Sequence, residues 1–281
     1  MRQSPTVRKR RLAAELRRMR EAAGYTVDQA RKDLRWSTGR LNKMEAGSSR
    51  PDPSALKDLM NLYGVTSPER REAILALGRQ SKERGWWDTY SDVLPDSYIG
   101  FEAEASAIST FQPTVIPGLL QTADYAAMSA RIALTRTDAQ VDRIVSARLE
   151  RQQLLDSDDP PEFHAVISED VLVRLWHTNT SLAQQQVEHL ITMAEAPNNT
   201  VTIQIHPHTA GMYAATFGAM VILDYTNELD PSIVYLETRS EGLYVEEPTH
   251  VAAYRQAFDH VSMDALSKAG SIELMEKIIN K

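Results

Sequence analysis

Apolar positions recur along the first 80 residues at helical spacing. Leu12, Leu16, Met19 and Ala23 stand at i, i+4, i+7 and i+11, one stripe of a helix over residues 7–23, with arginines at 10, 11, 17, 18 and 20 on its other faces. Gly24 sits where such a helix ends, just past its C-cap. Thr26 is an N-cap for a second helix whose apolar side is Val27, Ala30 and Leu34. Trp36 falls in the following turn and plugs the small core. Ser37 caps a third helix to about Ala46, with Leu41 and Met44 inward and Gly47 at its end. That helix leaves Thr38, Gly39, Arg40, Asn42 and Lys43 facing out. SSRPDP reads as a loop. A fourth helix covers Pro53 to Tyr63, with Leu56, Leu59, Met60 and Tyr63 inward and a Schellman-type ending at Gly64 and Val65. Ser67-Pro68 opens a fifth, cap then proline, which continues to about Arg84.

Beyond Gly85 the pattern changes. GWWDTYSDVLPDSY is aromatic and turn-rich and marks a boundary between residues 1–84 and 85–281. Trp86, Trp87, Tyr90 and Tyr98 read as a plug between domains, with pocket lining as the alternative. IGFEAEASAISTF reads as a helix, and QPTVIPGLLQTADYAAMSARIAL as a loop, a Pro-Gly turn and a helix. Thr137 to Leu155 is long and amphipathic, with Val141, Ile144, Val145, Leu149 and Leu155 inward. EFHAVIS alternates as a strand, EDVLVRLW and SLAQQQVEHLITMAE are helices, and NNTVTIQIHPH is a strand with Val201, Ile203 and Ile205 inward. FGAMVILDY, SIVYLETR and GLYVEE are three more strands, and THVAAYRQAFDHVSMDAL and SIELMEKIIN are helices. The fold class is therefore an all-α head of five helices followed by a larger α+β domain with a mostly antiparallel sheet.

Charge separates the same two regions. The net charge of −7 hides 20 basic and 10 acidic residues in 1–84, net +10, against 11 and 28 in 85–281, net −17. A basic head on an acidic body points to nucleic acid. The chain has no cysteine, which excludes disulfides and zinc–thiolate sites and suits a reducing cytosol. No apolar run approaches the roughly 20 residues of a membrane span. The basic start MRQSPTVRKRRLAAEL is followed by no apolar core, so it reads as a mature cytoplasmic N-terminus.

LRRMREAAGYT, LRWSTGRLNKMEAG and RPDPSALKDLMNLYGV carry a resemblance, over residues 7–84, to the lambda-repressor-like, Xre-type helix-turn-helix family. YIGFEAEASAI, VIPGLLQTADYA, ARLERQ, VTIQIHP, VYLET and GLYVEE, over about residues 98–275, resemble the uncharacterised domain that follows such heads in actinobacterial regulators. The resemblance implies that Arg20 and Glu45 form the ion pair that ties the recognition helix to the first helix. Three positions depart from it: Arg31, where the family has a small residue; Arg35, where it has glycine; and Val27, where it often has glutamine. Arg31 implies either a looser helix crossing or a side chain projecting to the DNA backbone. The implied protein is a cytoplasmic, nucleoid-associated regulator that binds a double-stranded DNA operator as a homodimer. Its body senses a small-molecule effector or a small protein partner encoded nearby, dimerises, or does both. An antitoxin-like interaction protein is the alternative.

On such a head, Thr38, Gly39, Arg40 and Asn42 are placed to meet base edges. Arg31, Arg35, Lys43 and Arg50 are placed to meet phosphates. Other chemistry is sparse. His206 and His208, with His164 or His177, are the only metal-like grouping, and no carboxylate or thiolate stands at ligand spacing, so no metal and no cofactor is expected. Glu169-Asp170 reads as an acidic helix start. Ser168 has no GxSxG context, and no phosphate loop occurs, so no enzyme activity is expected. PGLLQT reads as a structural corner with Leu119 and Leu120 inside; its functional alternative puts Gln121 and Tyr125 at a pocket mouth. ARLERQ reads as a solvated, ion-paired helix face.

Overall fold

Four of the first five helices end in the same way, and those endings set the path of the head. The structure is a computed structural model that describes residues 5–37, 39–81, 85–93, 96–132, 137–197, 200–211, 218–226, 230–238 and 242–280. The chain divides into two units, Met1–Asp88 and Thr89–Lys281. The head helices are α1 (Pro5–Ala22), α2 (Val27–Asp33), α3 (Arg40–Glu45), α4 (Pro53–Leu62) and α5 (Pro68–Gln80). After each of the first four comes a residue at positive φ: Gly24, Arg35, Gly47 and Gly64, at 75°, 56°, 66° and 69°. Each ending carries the two Schellman hydrogen bonds. At α4, for example, Val65 N–H donates to Met60 O (2.9 Å) and Gly64 N–H to Asn61 O (3.3 Å).

The helix starts are chosen by side chains. Thr26 and Gln29 form a capping box on α2, and Asp52 and Ser67 cap α4 and α5. The third helix departs from the expectation. It begins at Arg40 behind an N-cap of Gly39, at φ 88° with no side-chain cap bond. The left-handed glycine prevents a helix from starting at Ser37, whose carbonyl instead accepts from Arg40 N–H at 3.3 Å. Thr38, and the expected end of the fifth helix at residues 82–84, lie outside the described residues. Leu12, Leu16, Met19, Ala30, Leu41, Met44, Leu56, Leu59, Met60 and Ile74 form one buried core, with Trp36 packed against it.

The body is an α+β unit with a six-stranded mixed sheet in the order β3-β2-β1-β4-β5-β6. Its elements run α6 (Asp96–Glu102), β1 (Ala107–Gln112), α7 (Ala123–Ile132), α8 (Asp138–Gln152), β2 (Glu162–Ser168), α9 (Glu169–Thr178), α10 (Thr180–Glu195), β3 (Val201–His206), β4 (Met220–Asp224), β5 (Ile233–Glu237), β6 (Gly242–Val245), α11 (Pro248–Asp264) and α12 (Lys268–Ile279). The β1–β2 and β2–β3 pairs are parallel, each joined through two helices; β1–β4, β4–β5 and β5–β6 are antiparallel.

Two details correct the sequence reading. ISTF is strand β1, not part of a helix. Ile108 and Thr110 are buried on one face and Phe111 on the other, so this central strand shows no polar alternation to tell it from a buried helix. Leu149 on α8 is turned to solvent, because Val141, Ile144 and Ala147 already occupy the buried stripe. One sheet face packs Phe111, Val166, Met220, Ile222 and Val234 on Val251, Phe258 and Val261 of α11. On the other face Thr110, Val221 and Tyr235 lie in register across β1, β4 and β5. The β3 edge is closed: Leu266 N–H donates to Ile205 O, and Ile205 N–H to Ser271 Oγ.

All seven histidines lie in the body. Burial lowers the pKa of His164, His189 and His206. A base whose folded pKa is depressed contributes stability above its unfolded value, near 6.5, and loses it as pH falls through the folded one. Acidification from pH 7.5 to 5.5 is therefore expected to lower the melting temperature of the body and leave the histidine-free head nearly unchanged. Amide NMR signals of the two units on heating check this; equal shifts would refute it.

Candidate nucleic-acid interface and body cavity

Helix α3 is fixed from behind. Arg20, on the last turn of α1, grips Glu45, on the last turn of α3, through Nε–Oε1 at 2.8 Å and Nη2–Oε2 at 2.9 Å. Its Nη1 also donates to Tyr25 O at 2.9 Å, inside the Schellman ending of α1. The hydrogen bond with Glu45 raises the Arg20 pKa against the burial that would lower it. With Leu41 and Met44 in the core and Glu45 held, Asn42 and Lys43 are left exposed.

The other sequence-selected residues take different positions. Arg40 lies over the Trp36 ring, 4.2 Å from its centroid, and its Nη2 is 3.6 Å from Asp52 Oδ2. Gly39 sits just before the helix rather than on its first turn, and a Cβ there would meet nothing within 4 Å. Arg31 turns back along α2 onto Asp28, with Nε–Oδ1 at 2.7 Å, and that contact holds the Asp28 carboxyl below the usual carboxylate range. Arg35 and Arg50 are exposed. Val27 packs against the head core. Two residues join the α3 face that the sequence reading left out: Trp36 and Asp52, which hold Arg40. Trp36 reads as core and Asp52 as part of the SSRPDP loop, so their contacts with Arg40 are not visible from spacing.

Arg35 is the one residue other than glycine at positive φ among those described. The left-handed conformation costs a residue with a Cβ about 1–2 kcal/mol, offset partly by the greater unfolded-state freedom of glycine. Arg35→Gly is expected to stabilise the head by about 0.5–1 kcal/mol in denaturant unfolding. A destabilised variant would show that the Arg35 side chain makes a compensating contact.

In the body a cavity of about 570 Å³ opens on the sheet face away from α11. Its floor is the Thr110–Val221–Tyr235 row, and its walls come from α6, the 114–121 corner and α8, which presents Ile144, Arg148 and Arg151. Glu102 and Arg151 meet there as a fork: Nε donates to Oε1, and Nη2 to Oε2 at 2.7 Å. Tyr98 donates to Glu102 at 2.8 Å and stacks on Tyr235 with ring centroids 4.3 Å apart. Burial, then the Glu102 charge, pushes the Tyr98 pKa well up, and burial with Glu237 pushes Tyr235 up to about 12. Both phenols are therefore neutral donors at physiological pH.

The corner divides the two residues assigned to a pocket mouth. Leu119 and Leu120 are buried. Gln121 lines the cavity, with Nε2 donating to Ile116 O and Oε1 accepting from Arg148, both at 2.7 Å. Tyr125 instead braces the corner: its buried hydroxyl accepts from Ile116 N–H at 3.1 Å, and it is not part of the lining. Of the four early aromatics, Tyr98 lines the cavity, while Tyr90 donates to Glu150. ARLERQ includes a solvated Leu149, but its Arg148 and Arg151 face the cavity. His206 is buried edge-on to Phe111, whereas His208 bonds Asp170 at the exposed start of α9. No group of three metal-ligating side chains converges among the described residues, and no helix among them is long and apolar enough to cross a membrane.

Two family models match the chain. A model described as a helix-turn-helix domain matches residues 11–73, and one described as a domain of unknown function, DUF5753, matches residues 95–277. No curated protein and no solved structure matches the chain.

Proposed function

The chain belongs to the DUF5753 family and carries a helix-turn-helix domain ahead of it, and on that premise we propose that it is a sequence-specific, DNA-binding transcriptional regulator of the Xre type, with a lambda-repressor-like head of five helices. The observation that carries this reading is the grip of Arg20 on Glu45, which holds α3 with Asn42 and Lys43 exposed and Arg40 at its start. In this reading α3 enters the major groove. Gly39, Arg40 and Asn42, with Thr38 beside them, meet base edges; Arg31, Arg35, Lys43 and Arg50 meet phosphates. The protein acts in the cytoplasm on the nucleoid as a homodimer, since one small head contacts too little DNA for operator-level specificity. Its heads then sit about 34 Å apart, or a multiple, on a near-palindromic site. The body is a regulatory unit without enzyme activity, and its cavity favours a small-molecule effector over a protein partner. The second reading, an antitoxin-like protein whose main task is to hold a small protein encoded nearby, draws its support from the resemblance alone.

Selection from a random duplex pool by the full-length protein, followed by titration at several salt concentrations, tests the main reading. Arg40→Ala is expected to relax base preference, at a cost of about 1–3 kcal/mol on the selected site. Lys43→Ala is expected to weaken all duplexes alike and to reduce the salt slope by about 1. No enriched sequence, or two variants indistinguishable from the parent, would sink the assignment.

A further inference from the structure

The strongest unassigned feature is the wall of the body cavity where Gly118 faces Arg151. A buried ion pair costs desolvation that an apolar pair of similar volume avoids, so its presence there is not accounted for by stability. Arg151 is 13% exposed and Glu102 1%. Two of the three guanidinium nitrogens are spent on Glu102. The third, Nη1, has no hydrogen-bond partner in the described chain. Space remains beside it because residue 118 is glycine: a Cβ there would stand 3.1 Å from Nη1 and 3.3 Å from Nη2. Gly118 is not at positive φ, so its backbone conformation does not require glycine.

We propose that this cavity binds a small, uncharged organic molecule bearing a hydrogen-bond acceptor, that Arg151 Nη1 donates to that acceptor, and that Gly118 keeps the approach open. The inference rests on the reading of the body as an effector-binding unit. Its volume, about 570 Å³, lies within the range of small-molecule sites. Among the described residues the charged lining is balanced: Arg148 and Arg151 against Glu102 and Glu237. Arg151 is already neutralised by Glu102, so an anion brought to Nη1 would meet the carboxylate across the same guanidinium. A cation would meet Arg151 itself. A carbonyl, hydroxyl or ether oxygen exchanges one hydrogen bond to water for one to Nη1 and leaves no uncompensated charge. Tyr98 and Tyr235 supply an aromatic floor, and Thr110 and Gln121 supply polar groups around it.

The test is a fragment screen by ligand-observed NMR on the full-length protein. The set holds equal numbers of neutral, anionic and cationic fragments of matched size, and every hit is repeated on Gly118→Ala. The expected result is a hit list dominated by neutral, acceptor-bearing fragments whose affinity falls at least tenfold in Gly118→Ala, with the melting temperature of the variant close to that of the parent. Hits dominated by anions or cations overturn the ligand class. Hits that persist unchanged in Gly118→Ala, or no hits above those on the unfolded chain, overturn the site. If Gly118→Ala is destabilised, soaks of the neutral hits into crystals of the parent decide instead, with electron density beside Arg151 Nη1 required. Duplex binding by the same preparation reads the head separately, so failure of the cavity and failure of the DNA-binding assignment are distinguishable.

Discussion

Arg20→Ala is expected to destabilise the head by about 3–5 kcal/mol, and Glu45→Ala by distinctly less, although both remove the same ion pair. The asymmetry follows from what each partner keeps. Without Glu45, Arg20 still donates to Tyr25 O at 2.9 Å and reaches Glu21, whose carboxylate is exposed, at 3.4 Å. Without Arg20, the Glu45 side chain, 5% exposed, is a carboxylate stranded beside the core. The Tyr63 hydroxyl is buried without a hydrogen-bond partner, and burial together with the Glu45 charge drives its pKa up. A loss of that size approaches the whole stability of a domain of about this length. Denaturant unfolding of the full chain, followed by head amide signals, separates the two variants. Equal and small losses would mean that solvent reaches the pair. Because the pair joins α1 to α3, Arg20→Ala is also expected to abolish duplex binding while the body remains folded.

The same pair shows what was legible in the sequence. The stripe of Leu12, Leu16 and Met19, the caps Thr26 and Ser67, and the closing glycines are local signals, and local hydrogen bonding realises them. The start of α3 was misplaced because Ser37 is a good cap by residue type, while the left-handed Gly39 that overrides it is a backbone property. Strand β1 was missed because it is buried on both faces, which erases the alternation that separates strands from helices. The antiparallel β4–β5–β6 group was legible from its close spacing, but the parallel β3–β2–β1 group depends on crossovers through two helices each. The cavity was least legible. Its wall joins Glu102 of α6, Gly118 and Gln121 of the Pro-Gly corner, and Arg151 of α8, three segments distant in sequence, and only the corner carried a signal. Arg151 belonged to a stretch that reads as solvated, because a helix face that lines a polar cavity has the composition of one that faces water.

That misreading leads to the second large effect. Arg151→Ala is expected to cost the body about 3–5 kcal/mol, as much as a large core truncation, although the residue sits in an arginine-rich, charged helix. The removed guanidinium leaves the Glu102 carboxylate, 1% exposed, with the Tyr98 hydroxyl as its remaining side-chain hydrogen-bond donor. It also removes the cation lying 5.2 Å from the centre of the Tyr98 ring. Burial alone would lower the Arg151 pKa, but Glu102 outweighs it and raises it, so Arg151→Ala removes a charge partner. The cost should therefore come from the uncompensated charge rather than from the missing volume. Replacing both partners, as Arg151→Met with Glu102→Leu, separates these: the double variant is expected to recover most of the lost stability, because neither buried charge remains. Calorimetry of the full chain should show the body transition falling in Arg151→Ala and returning in the double variant, with the head transition unmoved in both. A double variant as unstable as Arg151→Ala would mean that cavity-wall packing, not charge compensation, is what Arg151 supplies. Recovery with no binding of neutral fragments would separate the stability of this wall from its use, since the apolar pair keeps the sheet and helices together but presents no donor to the cavity.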